Sequence, residues 1–185
     1  LSELQAFANQ QNANRRCLHW SLIFPEVIAR GGFDAFVGNP PFLGNKKISG
    51  TLGLDYRDYL TTSLAQGCTG LADVCAYFFL RAFVLLSNQH GLFGLIATNT
   101  IAQGDTREVG LDQLVNAGGT ITRAIPSTAW PGTANVVIAE VWVSKHQWEG
   151  DLILDGRNVT SISTLLNDSK NNDKTPDELS ESAQR

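Results

Sequence analysis

Between two short apolar runs, Phe33 to Val37 and Leu92 to Thr98, the residues Leu71, Val74, Cys75, Phe78, Ala82, Leu85 and Leu86 recur at helical spacing. An apolar stripe of that period is one face of an amphipathic helix, and such a face must be buried against another element. The flanking runs read as buried strands. The chain is therefore an α/β unit, with one long helix laid on a sheet, and the aromatics of that helix are core rather than a cofactor box.

Other elements follow from punctuation by Gly, Pro and capping residues. After an amphipathic opening, Trp20 to Phe24 reads as a short strand, and Pro25-Glu26 starts a helical stretch that ends at Gly31-Gly32. A Gly-rich loop from Leu43 to Gly53 leads to a helix-like segment from Tyr56 to Leu64, broken by Gly67 to Gly70. Asp73 reads first as an acid at the N-terminus of the long helix, where the dipole favours it, and second as a cofactor or substrate contact. Asn99-Thr100 leaves the second strand and should border the site. Asp105-Thr106-Arg107-Glu108 reads as a capping box for a helix that runs to about Asn116 and stops at Gly118-Gly119. Ile121 to Ile125 and Asn135 to Val143 are two strands joined by Pro126 to Ala134. Leu152 to Gly156 is a strand and turn, Val159 to Leu166 a short helix, and Asn167 to Lys174 a polar linker. Thr175-Pro176-Asp177-Glu178 opens a further helix, with Thr as cap and Pro at the first position. There is no internal repeat.

A chain of 185 residues that is 43% hydrophobic can bury a real core. The apolar stretch Val74 to Leu86 is interrupted by Arg81 and is too short to span a bilayer, and the N-terminus lacks signal-peptide organisation. These features predict a cytoplasmic protein with no membrane partner. Cys17, Cys68 and Cys75 have no paired metal-ligand spacing and His19, His90 and His146 are scattered, so neither a metal site nor a disulfide framework is expected. The chain contains no methionine, which predicts a fragment. Its net charge of −4 runs against nucleic acid, but residues 151–185 carry four basic against seven acidic side chains, so the rest is nearly neutral. Lys46 and Lys47 follow a Pro-Pro turn, where they meet phosphates beside a displaced base or are two solvated loop lysines.

That turn is Asn39-Pro40-Pro41-Phe42, placed where the first strand ends. Proline fixes its own φ, lacks an N–H and pushes the preceding residue into extended geometry, so Asn39 and Pro40 are held extended. The Asn39 amide and the Pro40 carbonyl can then point at one place, with no local N–H competing for that carbonyl. An exocyclic amine on a nucleobase is a poor nucleophile because its lone pair is delocalised into the ring. Accepting both of its hydrogens favours the pyramidal, reactive form, which is positioning with electrostatic stabilisation. Phe42 offers an apolar face for a planar ring, the usual support for a base that has left its duplex. The four residues read as a methyl-transfer site on a planar amine. The plainer reading, a strand ended by ordinary turn residues, loses weight beside the further matching segments downstream.

Those segments are His19-Trp20 with Phe24-Pro25-Glu26-Val27, Gly32-Phe33-Asp34 running into Gly38-Asn39-Pro40-Pro41-Phe42, and Gly94 to Glu108. Through them the stretch from about His19 to Val143 resembles the catalytic half of an amino-group, adenine-specific DNA methyltransferase. It is most similar to the fused restriction-modification (type IIG, MmeI-like) and phage-defence methyltransferases. The resemblance implies the C-terminal half of a class I, Rossmann-like methyltransferase domain with a terminal antiparallel β-hairpin. It implies S-adenosylmethionine as methyl donor, with Asn39 bordering the methyl group, and double-stranded DNA with a flipped adenine as partner. Asn39 and Pro40 would grip the N6 amine, Pro41 would fix the turn, and Phe42 would stack the base. In the family a second aromatic comes from the segment before the last strand. Trp130 occupies the matching place, either stacking the adenine opposite Phe42 or plugging the edge of the sheet.

The departure from the family is equally specific. No Gly-rich strand-to-helix turn precedes Asn39, and Gly31-Gly32 and Gly50 to Gly53 do not follow a strand in the required way. Residues 1–150 are thus expected to be a partial catalytic domain that binds cofactor poorly alone. Residues 151–166 would end or connect the domain, and residues 167–185 would lead toward further parts of the polypeptide. Two alternatives stand beside this reading: a methyltransferase acting on RNA or protein glutamine, and an inactive remnant that only binds.

Overall fold

The computed structural model describes residues 18–68 and 70–168, apart from the side chains of Asn45 and Lys46. The amphipathic opening and the helix expected from Thr175 lie outside the described residues. A six-stranded sheet forms the centre: β1 (Ala35–Gly38), β2 (Leu92–Thr98), β3 (Thr120–Ala129), β4 (Val137–Ser144), β5 (Leu152–Leu154) and β6 (Arg157–Val159). Its spatial order is β1-β2-β4-β3-β5-β6. β1 and β2 are parallel, and β4 lies antiparallel between β2 and β3. The expected terminal hairpin is therefore present, folded back so that its second strand enters the sheet. The sheet then continues past residue 150, with β5 parallel to β3 and β6 antiparallel to β5.

Among the described residues five helices precede the second strand: α1 (Trp20–Ile23), α2 (Pro25–Ala29), α3 (Asn45–Leu52), α4 (Leu54–Asp58), which continues as a π-helical turn (Tyr59–Leu64), and α5 (Val74–Leu85). After β2 come a 3-10 turn (Asn99–Ala102) and a helical segment made of α6 (Gly104–Arg107), a π-helical turn (Glu108–Asp112) and α7 (Gln113–Asn116). β2 alternates strictly, with Phe93, Leu95 and Ala97 buried, and their partners Val143, Val141 and Ala139 are buried on the same face. α5 covers that face, where the Phe79 ring meets Phe93 edge-on at 5.3 Å. Lys145, just past β4, secures the other end of α5 by donating to the Val84 and Leu86 carbonyls at 3.2 and 2.9 Å.

Several expectations need correction. Trp20–Ile23 is helical, not a strand, because the Leu22 and Ile23 N–H groups donate to the His19 carbonyl. Its Trp20 ring packs within 6 Å of Phe24, Phe33 and Phe36. β1 is not buried: it pairs on one side only among the described residues, and the face that carries Ala35 and Val37 is uncovered, with Val37 90% exposed. The Gly-rich loop contains the helix α3. Within α5, Tyr77, Phe79 and Phe83 are core, whereas Phe78 and Val84 are exposed and mark a solvent stripe. Leu71, expected on the buried face, is exposed ahead of the helix. The capping box does not form, since the cap position falls to Gln103 with no side-chain bond. β3 runs through Pro126 to Ala129, with a register shift between Ile125 and Thr128 that accommodates the missing proline N–H. Val159 ends β6, and the residues to Leu166 form turns rather than a helix. Among the described residues, no helix is long and apolar enough to cross a membrane, and no cluster of His, Cys, Asp or Glu suits a metal ion.

Candidate functional site

Strand directions gather the chemistry at one end of the sheet. Gly38, the last residue of β1, lies beside Leu95 of β2, and Thr98 at the end of β2 lies beside Ile138 of β4. Ile138 in turn lies beside Thr128 of β3. The Asn39-Pro40-Pro41-Phe42 turn, the exit of β2 and the loop that holds Trp130 therefore share the carboxyl end of the parallel strands. In open α/β sheets that is the end where ligands bind.

Within the turn, Asn39 and Pro41 are exposed while Pro40 is buried, so the turn is anchored through its second residue. Among the described residues, neither the Asn39 side-chain amide nor the Pro40 carbonyl has a hydrogen-bond partner. Two acceptors thus stand together unspent at a strand end. Phe42 is half-buried and packs against the core.

Beyond Phe42 the chain is tied down at Leu43. Its N–H donates to Asp73 Oδ1 at 3.2 Å, and its carbonyl accepts from the Val74 N–H at 3.0 Å. The same Asp73 oxygen accepts from the Cys75 N–H at 3.0 Å, which caps α5 as the sequence predicts. The Asp73 N–H donates to Thr106 Oγ1 at 3.1 Å, and the Leu71 N–H donates to Asp105 Oδ2 at 2.6 Å. Burial, followed by the nearby Asp73 carboxylate, pushes the Cys75 thiol well above its usual range, so it is an inert core group. At the exit of β2, the Thr98 and Thr100 hydroxyls bond each other at 2.7 Å.

The remaining candidates spread outward. Lys46 and Lys47 sit in the first turn of α3 rather than in a loop, and Lys47 is exposed. Cations there oppose the helix dipole, so helix stability does not account for them. Trp130 is half-buried; its backbone N–H donates to the Val136 carbonyl at 3.0 Å, and its indole lies so close to Gly132 that a Cβ there would be 2.5 Å from Nε1. β3 lies three strand spacings from β1, about 14 Å. No ring contact joins Phe42 and Trp130 among the described residues. They share an end of the sheet without touching. The ties from Asp73 to Leu43 and from Asp105 to Leu71 escaped the sequence, because residues 30 and 34 positions apart carry no local signal of their meeting.

A parallel pair extended by a reversed hairpin, with a Pro-Pro turn at the carboxyl edge, defines part of a Rossmann-like methyltransferase domain. A family model described as Eco57I restriction-modification methylase matches residues 2–117, and the chain belongs to that family. The matched stretch contains the Asn-Pro-Pro-Phe turn and ends before the hairpin that carries Trp130. Among solved structures, the chain is similar to the Type IIL restriction-modification enzyme MmeI, determined in complex with DNA, with a TM-score of 0.64 and 18% identity. The likeness covers 82% of this chain and 21% of that one, so this chain spans about a fifth of that enzyme. At that identity the likeness is one of fold. No curated protein matches the chain in sequence.

Proposed function

We propose that this chain is the base-gripping part of a restriction-modification DNA methyltransferase that methylates adenine N6 in duplex DNA. The observation that carries the reading is the pair of unspent acceptors at the end of β1, Asn39 and Pro40, beside the half-buried ring of Phe42. The Asn39 side-chain oxygen and the Pro40 carbonyl accept the two N6 hydrogens. This draws the amine out of conjugation and aims its lone pair away from the turn. Pro41 keeps the turn extended. Phe42 stacks one face of the flipped adenine and Trp130 closes on the other, compensating for the stacking lost when the base leaves the duplex. Lys46 and Lys47 meet the flanking phosphates.

S-adenosylmethionine supplies, when bound, an electrophilic methyl group. The residues here fit only its margin. Asn39 would border the methyl position, but no Gly-rich turn follows a strand ahead of it among the described residues, which thus make no cradle for the cofactor. The exposed outer edge of β1 is consistent with further strands of the catalytic domain pairing there. The working enzyme accordingly includes more of the polypeptide than these residues.

The test is transfer of labelled methyl from S-adenosylmethionine to duplex DNA by three proteins: this chain alone, the chain with its native upstream region, and that longer form carrying Asn39→Ala. The proposal expects labelling by the longer form only, abolished by the substitution. Labelling of RNA or protein in place of DNA, or none by a folded longer form, would overturn it.

A further inference from the structure

We infer that Asp73 is a positioning residue for the Asn-Pro-Pro-Phe turn, a role distinct from its capping of α5. The inference rests on the function proposed above for that turn. A cap alone needs one bond, from Asp73 Oδ1 to the Cys75 N–H. Here the same oxygen also takes the Leu43 N–H, while the Val74 N–H takes the Leu43 carbonyl, so both backbone polar groups of Leu43 are committed to the first turn of α5. Leu43 directly follows Phe42. The ring and the two acceptors before it are thereby held between β1 on one side and the start of α5 on the other.

Asp73 is itself held from the far side of the site. Thr106, which is buried, accepts the Asp73 N–H, and Asp105 accepts the Leu71 N–H. Gly70 fits against Asp105 so tightly that a Cβ there would stand 2.8 Å from the Asp105 Cβ. Residues 70–73 thus form a strap from the helical segment after β2 to the exit of the Pro-Pro turn. A charge-assisted bond at the end of such a strap fixes geometry where a shift of an ångström matters to catalysis.

Serine and asparagine separate the two roles. Asp73→Asn keeps an acceptor oxygen at the same reach. Asp73→Ser keeps a good helix cap but is too short to reach Leu43 as well. In the protein with its whole catalytic domain, D73S should keep its fold, exchange the Leu43 amide hydrogen about tenfold faster, and lose about tenfold in kcat. Its KM for DNA should stay within about threefold, because the strap orients the base rather than binding it. D73N should recover most of both quantities. A D73S protein with unchanged Leu43 exchange, with unchanged kcat, or that unfolds while D73N does not, overturns the inference and leaves Asp73 a structural cap. A wild-type protein that methylates no adenine instead refutes the function proposed above, and Leu43 exchange then still decides whether the strap exists.

Discussion

Replacing Phe42 by leucine separates the core packing of its ring from the base stacking proposed for it. The ring packs against the core and is only partly buried. Leucine is close enough in shape to keep most of the packing, so the stability cost should stay below about 1.5 kcal/mol. What leucine cannot supply is a flat π face. Stacking of a base on an aromatic side chain contributes about 1–3 kcal/mol, and with one base on one ring a single such term is at stake. The expected loss in kcat/KM for duplex DNA is therefore about 5- to 150-fold, with Tm nearly unchanged. Tyrosine retains the face and should keep activity within about threefold. The assay is single-turnover methyl transfer to a duplex with one target site, with thermal unfolding in parallel. Leucine as active as phenylalanine, or tyrosine as damaged as leucine, would refute the stacking argument.

Three other outcomes follow from the structure. Lys145→Met keeps the apolar stem but removes the bonds to the Val84 and Leu86 carbonyls and the ammonium 5.4 Å from the Phe83 ring, at a cost of about 1–2 kcal/mol, read as a lower urea midpoint at constant m. The folded-state thiol of Cys75 is raised above its ordinary value of 9.0, so its contribution is fully present below that pH and is lost as pH climbs past it. Cys75→Ala should flatten the fall in Tm above about pH 9, where the thiol of the unfolded chain ionises while the buried one does not, and identical slopes would contradict this. Trp130→Leu should lower kcat/KM about tenfold without changing which base is modified, and full activity would leave Trp130 as an edge plug.

The long helix, the second strand and the hairpin were legible because their signals are local. A 3.6-residue stripe, strict alternation at Phe93, Leu95 and Ala97, and an acid at Asp73 each reflect forces within a few residues. The end of β1 before Asn39 was legible for the same reason, because proline geometry acts on its neighbours wherever they sit, whereas the role of the Asn-Pro-Pro-Phe turn is the proposal above. What misled depends on partners distant in sequence. Trp20 to Phe24 is too short for periodicity to separate strand from helix, and the Phe33 and Phe36 rings decide how Trp20 is buried. The exposure of Val37 depends on what covers its face of β1. Helix α3 forms despite Gly50 in its interior and Gly44 and Gly53 flanking it, residues that read as a loop. Asp105 looked like a capping acid, yet its carboxylate is spent on Leu71, a tertiary contact that no local pattern announces.

Mass spectrometry of nucleosides from duplex DNA treated with the catalytic domain and S-adenosylmethionine tests the central claim most directly. The account predicts N6-methyladenine as the sole modified base, absent when Asn39 is alanine. Methylated cytosine, or N6-methyladenine that persists without the Asn39 amide, would contradict the claim that the turn after β1 grips the adenine amine.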